Sequence, residues 1–181
     1  MTKTTIVKSV VGVTSCLYLA LLFQTSIFPR IPLAGVVPNL VLAVVSLFSF
    51  LKGTQFGMLT GFVGGILLDV FCGSYFGMYA LIFTYIGLMN GLLSIIFFGD
   101  DIKLPLFLVG GSDIVFGAIV YATMFLLNGD NDFSFYATNV MIPEAVYTAV
   151  IALFIYYPIK SICEWMDKET NSRTRETPGM S

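Results

Sequence analysis

Residues 77–98 contain no charged side chain, and residues 6–23 contain one, Lys8. Both stretches are apolar around the circumference of a helix rather than along one stripe. Such a surface has to be solvated by lipid. Each crossing of a hydrocarbon core about 30 Å thick needs about 20 mostly apolar residues. Helices satisfy their own backbone groups and can cross, whereas lipid-exposed loops cannot. A closed barrel would need strict apolar/polar alternation, which these stretches lack. Composition agrees: of 181 residues, 57% are hydrophobic and 11% charged, against about 25% charged in a soluble domain.

Net charge is −2 and histidine is absent, so no nucleic-acid partner is expected. Cys16, Cys72 and Cys163 lie far apart and lack metal-ligand spacing. They read as unpaired, with Cys16 and Cys72 as small packing residues and no disulfide framework. The first apolar run continues to Phe28 and no A-x-A-like site follows. That argues for a retained span rather than a cleaved signal peptide.

The pattern predicts six spans, at about residues 6–28, 38–51, 55–72, 76–98, 104–127 and 136–159. Pro29 and Pro32 end the first. Pro38 suits a helix start, where its missing N–H costs nothing. The second span is short, and residues 33–37 could continue it at the outer surface. A tight Gly73-Ser74 turn separates the third from the fourth. Residues 1–160 form the membrane domain. Residues 161–181 form a polar cytoplasmic tail, expected to fray or be disordered after about Lys168. Basic residues set the orientation. With the N-terminus inside, Lys3, Lys8, Lys52, Lys103, Lys160, Lys168, Arg173 and Arg175 are cytoplasmic, and of the nine only Arg30 falls outside. The outer loop 128–134 carries Asp130 and Asp132 and no base. The expected architecture is therefore an all-α integral membrane bundle of six helices, with both termini in the cytoplasm.

Gly57, Gly61, Gly65 and Asp69 recur every four residues in the third span, with Gly64 beside them. Positions four apart share a helix face, and a glycine stripe lets a second helix approach closely in lipid. The fourth span answers with Gly77, Ala80, Thr84, Gly87 and Gly91. A short turn makes the two antiparallel neighbours, so a tight hairpin is expected. Whether further partner surfaces belong to this chain or to another protein is open at this level.

Three acids lie within spans: Asp69, Asp113 and Glu144. An isolated acid at mid-membrane costs roughly 2.5–3.5 kcal/mol on insertion scales. At about 1.5 Å per residue, all three fall in the central or outer half of the core. Asp113 shares a face with Gly110 and Gly117. Glu144 follows Pro143 and shares a face with Tyr147 and Thr148. No base is available at those depths, so Asn90, Asn139, Tyr147, Thr148, Ser112 and helix ends are the candidate partners. The acids could donate structural hydrogen bonds as neutral groups, line a site for a cation, proton or amine, or accept hydrogen bonds from a partner protein. One expectation is that Asp69, Asp113, Pro143 and Glu144 line a single polar interior. No nucleophile–histidine pair, Walker-type loop or metal-ligand cluster is present, so neither an enzyme nor a cofactor or metal site is expected.

Four stretches resemble the bacterial rod shape-determining protein MreD family. They are Leu22-Phe23-Gln24-Thr25-Ser26-Ile27-Phe28-Pro29, Pro38-Asn39-Leu40-Val41-Leu42, the glycine-rich run from Gly61 through Asp69 to Gly77, and Ile142-Pro143-Glu144-Ala145-Val146-Tyr147-Thr148. The family often has Asn where this chain has Thr148. The resemblance covers about residues 20–160. It implies a non-enzymatic subunit of the cell-wall elongation machinery in the bacterial inner membrane. The implied partners are an MreC-like single-span protein and, more widely, a RodA-type glycosyltransferase, a class B penicillin-binding transpeptidase and the MreB filament. The implied fold is similar to the substrate-binding subunits of energy-coupling-factor vitamin transporters. The rival function is then a small-solute transport subunit, motivated by the same helical plan and the intramembrane acids. Its ATPase contact often uses a small-residue stripe on the first helix, where this chain has Ser9, Gly12, Ser15 and Cys16. A handler of lipid-linked precursors is a third reading.

Overall fold

In the computed structural model of the chain, which describes residues 3–33, 35–72, 76–96, 102–128 and 132–176, the secondary structure is helical. The order is α1 (Lys3–Ser26), a 3-10 turn (Phe28–Arg30), α2 (Leu40–Lys52), α3 (Thr54–Cys72), α4 (Met78–Ile96), α5 (Lys103–Asn128), α6 (Phe133–Tyr136), a π turn (Ala137–Met141) and α7 (Ile142–Glu176). One isolated bridge, Leu33 to Val36, lies between α1 and α2, and there is no strand among the described residues. The Gly73-Ser74 turn, the end of the fourth span past Ile96, and Asp130 lie outside the described residues.

Five segments are long and apolar enough to cross a membrane: Val10–Arg30, Thr54–Phe71, Met78–Ile96, Lys103–Thr123 and Phe133–Met166. The sixth expected span, α2, has 13 residues. At 1.5 Å per residue it is about 20 Å long, short of a core about 30 Å thick. Its position accounts for its length. Every residue from Leu40 to Ser49 is buried, and α2 touches α1, α3, α4, α5 and α7. Other helices, not lipid, are its solvent, so it need not match the bilayer.

The start of α2 also differs from expectation. Pro38 lies before the helix, and Asn39 is the N-cap, its side chain accepting from Leu42 N. Asn is among the best N-caps because its short carbonyl reaches the unpaired N–H groups of the first turn. At the other end Gly53 (φ 85°) breaks the helix, and Lys52 Nζ donates to Cys163 O at 3.0 Å. That bond ties the α2–α3 corner to α7.

The chain does not leave the helix at Lys160. α7 continues to Glu176, and Ile159, Cys163 and Met166 stay buried. Their three- and four-residue spacing forms one apolar stripe, which holds the polar-flanked extension against the bundle. The Cys72 side chain and those from residue 167 onward lie outside the described set.

Candidate functional site

α3 and α4 form the closest helix pair. A Cβ built on Gly57 would lie 2.5 Å from Gly87 O, and one on Gly61 would lie 2.7 Å from Phe83 C. One on Gly65 would lie 2.6 Å from Ala80 N, and one on Gly91 would lie 2.5 Å from Thr54 Cα. A Cβ on Gly87 would lie 2.7 Å from Gly57 C. All these contacts are with backbone, which cannot rotate aside, so the seam requires glycine. Gly64 faces away, toward Val41, Val45 and Leu17, and lets α3 approach α2 and α1. Gly77 lies outside the seam. It occupies the turn before α4 with φ +97°, and a Cβ there would meet nothing within 4 Å. Its role is conformational, because L side chains rarely adopt that backbone.

Asp69 completes the hairpin. Its Oδ1 accepts from Tyr79 N at 3.0 Å and its Oδ2 from Ala80 N at 2.9 Å. These N–H groups belong to the first turn of α4, where no intrahelical carbonyl is available. The acid therefore accepts hydrogen bonds instead of donating them, at a helix end whose dipole favours negative charge. Both its oxygens are occupied and the residue is buried, so its partner is the hairpin itself.

A second polar cluster surrounds the start of α2. Asn39 N donates to Thr148 Oγ1 at 3.0 Å, Val41 N to Gln24 Oε1 at 3.2 Å, and Leu42 N to Asn39 Oδ1 at 3.2 Å. Leu40 N bonds to Pro38 O and Ala43 N to Asn39 O. The first N–H groups of α2 are thus all engaged inside an apolar bundle, where each unpaired donor would cost about 1–3 kcal/mol. The acceptors come from α1 (Gln24), from the cap itself and from α7 (Thr148). Tyr147 Oη donates to Ile31 O at 3.2 Å, and its ring meets Phe28 edge-on at 5.9 Å. α7 is thereby tied to the α1–α2 connection.

Asp113 sits beside this cap. It is on the α5 face that carries Gly110 and Gly117, and that face packs on α7. A Cβ on Gly110 would lie 3.8 Å from Ala149 Cβ and 3.9 Å from Ala145 O, and one on Gly117 would lie 2.9 Å from Met141 Cγ. Its carboxyl oxygens are buried, and Asn39 and Thr148 are the polar side chains beside it that can donate to them. Glu144 is half-buried on α7, the helix toward which the Asp113 face of α5 packs. The π turn leads directly into this region. Pro143 has no N–H to give the Asn139 carbonyl, and Ile142 N bonds instead to Ala137 O, widening the helix at the approach to Glu144. Single π turns are frequent at functional sites.

The structure commits Asp69 to the α3–α4 hairpin, apart from Asp113, whose face of α5 packs toward α7. Tyr79 links the hairpin to α5: its N–H is held by Asp69 and its ring packs on Phe116 of α5 at 5.9 Å. Of the other expected partners, Asn90 and Ser112 bond to each other, and Asn139 bonds to Phe135 O and Thr138. Gln24 and Asn39 were not among the expected partners. For Asn39 the signal was available, since Asn directly before an apolar helix is an N-cap signature; for Gln24 nothing local indicated it. Among the described residues no group of three His, Cys, Asp or Glu could hold a metal ion. Two clefts open on the sides of the bundle. One, of about 450 Å³ between α4 and α5, includes Asn90, Ser112 and Gly111 in its lining. The other, of about 370 Å³, lies between α1, α2 and α7.

Five membrane-length helices around a sheathed sixth, joined by glycine and buried polar caps, define a polytopic membrane protein. The family model described as rod shape-determining protein MreD matches residues 4–166, and the chain belongs to that family. Its role is accordingly that of a rod-shape-determining, multi-pass membrane protein associated with the rod-shape complex. Comparison with curated proteins and with solved structures finds no match.

Proposed function

We propose that the chain is a non-enzymatic scaffold of the wall-elongation complex, docking an MreC-like single-span protein in the bacterial inner membrane. The observation that carries this reading is the family match over residues 4–166. In this reading α2 is the sixth crossing element, both termini are cytoplasmic, and residues 161–181 extend into the cytoplasm. The basic-residue distribution supports that orientation. Gly57, Gly61, Gly65, Gly87, Gly91 and Asp69 keep the α3–α4 hairpin rigid, a property that suits a docking platform. Contacts with a RodA-type glycosyltransferase, a class B transpeptidase and MreB filaments would extend from that platform. Buried α2 side chains fill the centre of the bundle, which argues against a central solute site of the transporter kind. Depletion is expected to round the cells, and an MreC-like protein is expected to copurify in mild detergent. Recovery of a bound vitamin with no such partner would reverse the reading in favour of a solute-binding transport subunit.

A further inference from the structure

α4 and α5 follow one another in the chain, yet they barely touch, and a cleft of about 450 Å³ lies between them. Its lining runs over residues 82–93 of α4 and 107–119 of α5, about 16–18 Å at 1.5 Å per residue. Spread over that length, the volume gives a cross-section of about 26 Å², against about 80–110 Å² for a helix with its side chains. The cleft therefore admits one row of side chains and not a whole helix. No charged residue lines it, and its polar groups are the Tyr85 hydroxyl, Asn90 and Ser112. These groups are not fully used. Asn90 is 2% exposed; its Nδ2 donates to Ser112 Oγ at 2.9 Å, and Ser112 Oγ lies 3.1 Å from its Oδ1. A primary amide has two N–H donors, so one is left over among the described residues. Tyr85 is 59% exposed, and its hydroxyl makes no hydrogen bond among the described residues. Ser112 lies about 14 Å along α5 from Lys103, well inside a core about 30 Å thick, where no water is at hand to serve these groups.

We propose that this cleft receives the membrane-spanning helix of a partner, whose entering row of side chains carries one neutral polar group: Asn, Gln, Ser or Thr. The helix lies along the cleft and sends a single ridge into it, the usual geometry of helix packing. Hydrogen bonding decides against a lipid chain as the occupant, since hydrocarbon fills the space but offers Asn90 and Tyr85 nothing to bond. Apolar contact alone gives no net driving force between helices in lipid; close packing and interhelical hydrogen bonds do. Gly111 supplies the first. It is exposed on the cleft wall and a Cβ there would meet nothing within 4 Å, so an incoming backbone can approach α5. The Asn90 amide and the Tyr85 hydroxyl supply the second. A charged group in the row would meet no counter-charge in the lining, so the polar member is neutral. This inference rests on the partner-docking reading above and gives it a location.

The test uses the full chain in lipid nanodiscs and a Leu-rich peptide of about 20 residues with one central Asn, alongside its Asn→Leu counterpart. Energy transfer between labelled peptide and protein is expected to show the Asn peptide binding about threefold to tenfold tighter. A photo-crosslinker on the peptide should mark α4 and α5. Gly111→Leu fills the cleft from a position with free space, so it should leave the unfolding transition in place and abolish peptide binding. Tyr85→Phe keeps the ring, removes the hydroxyl and should weaken the Asn preference; it serves if Gly111→Leu fails to fold. Equal binding of the two peptides overturns the proposal, as do crosslinks confined to α1 and α7. A bound phospholipid that the Asn peptide does not displace assigns the cleft to lipid, and a wild-type dimer that Gly111→Leu dissolves assigns it to a second copy; either result overturns the proposal. An MreC-like protein that copurifies equally with wild type and Gly111→Leu refutes the cleft alone, whereas its absence from wild-type preparations refutes the docking reading.

Discussion

Replacing Gly65 by Ala tests whether the seam and the Asp69 cap are one mechanical unit. The new Cβ would lie 2.5 Å from Tyr79 O and 2.6 Å from Ala80 N. Ordinary contact begins near 3.4 Å, so α4 has to retreat by roughly 0.9 Å at this point to escape repulsion. The two bonds from Tyr79 N and Ala80 N to Asp69 now measure 3.0 and 2.9 Å. A retreat of that size takes them past about 3.5 Å, where they cease to be hydrogen bonds. Overpacking costs about 1–3 kcal/mol, and a bond to a charged group about 1.5–3 kcal/mol. Because the strain and the bond loss are partly alternatives, a total of about 3–5 kcal/mol is expected. Gly111→Ala is the control: its Cβ would meet nothing within 4 Å, and helix propensity alone favours Ala by up to about 1 kcal/mol. Reversible unfolding by SDS in mixed micelles reads both. In the double variant with D69N, the combined loss should fall well short of the sum, because both substitutions remove the same cap. Stability of G65A within about 0.5 kcal/mol of wild type, or strict additivity with D69N, would refute the reasoning.

Three further outcomes are expected. Thr148→Val removes the acceptor of Asn39 N and should cost about 1–3 kcal/mol in the same unfolding assay, while Thr148→Ser, which keeps the hydroxyl, should stay near wild type. Asn39→Ala removes the α2 cap and should cost about 1–2 kcal/mol; a fully stable variant would mean that Gln24 and Thr148 hold this end unaided. Pro143→Ala restores a donor for the Asn139 carbonyl, so the π turn Ala137–Met141 should relax to α-helix with no loss of stability. Spin-label distances across α5 and α7 would report the rotation, and rescue of cell shape should fail if Glu144 needs its present direction.

The glycine seam was legible because its period of four matches the helix and a short turn makes α3 and α4 neighbours. The start of α2 was also legible in Asn39, a favoured N-cap directly before an apolar run. The separation of the three acids was not legible. Asp69, Asp113 and Glu144 lie at similar estimated depths, and depth says nothing about azimuth. Only the turn of each helix about its axis sends Asp69 toward the first N–H groups of α4 and Asp113 toward α7. The continuation of α7 past Lys160 was missed because charge suggested an exit, whereas the stripe of Ile159, Cys163 and Met166 keeps the helix packed.

By itself the sequence established a lipid-embedded helical chain, the approximate places where helices start and stop, and a pair of helices whose mutual contact faces are written in glycine. Tertiary structure alone decided that the shortest of the expected spans is the innermost, and that Gln24, Asn39 and Thr148, remote from one another in the chain, converge on its first turn. The physical reason is that a helix apolar all round has no preferred face toward its neighbours. Its rotation is set by backbone approach and by buried polar atoms finding partners, and those pairings exist only once the helices have met.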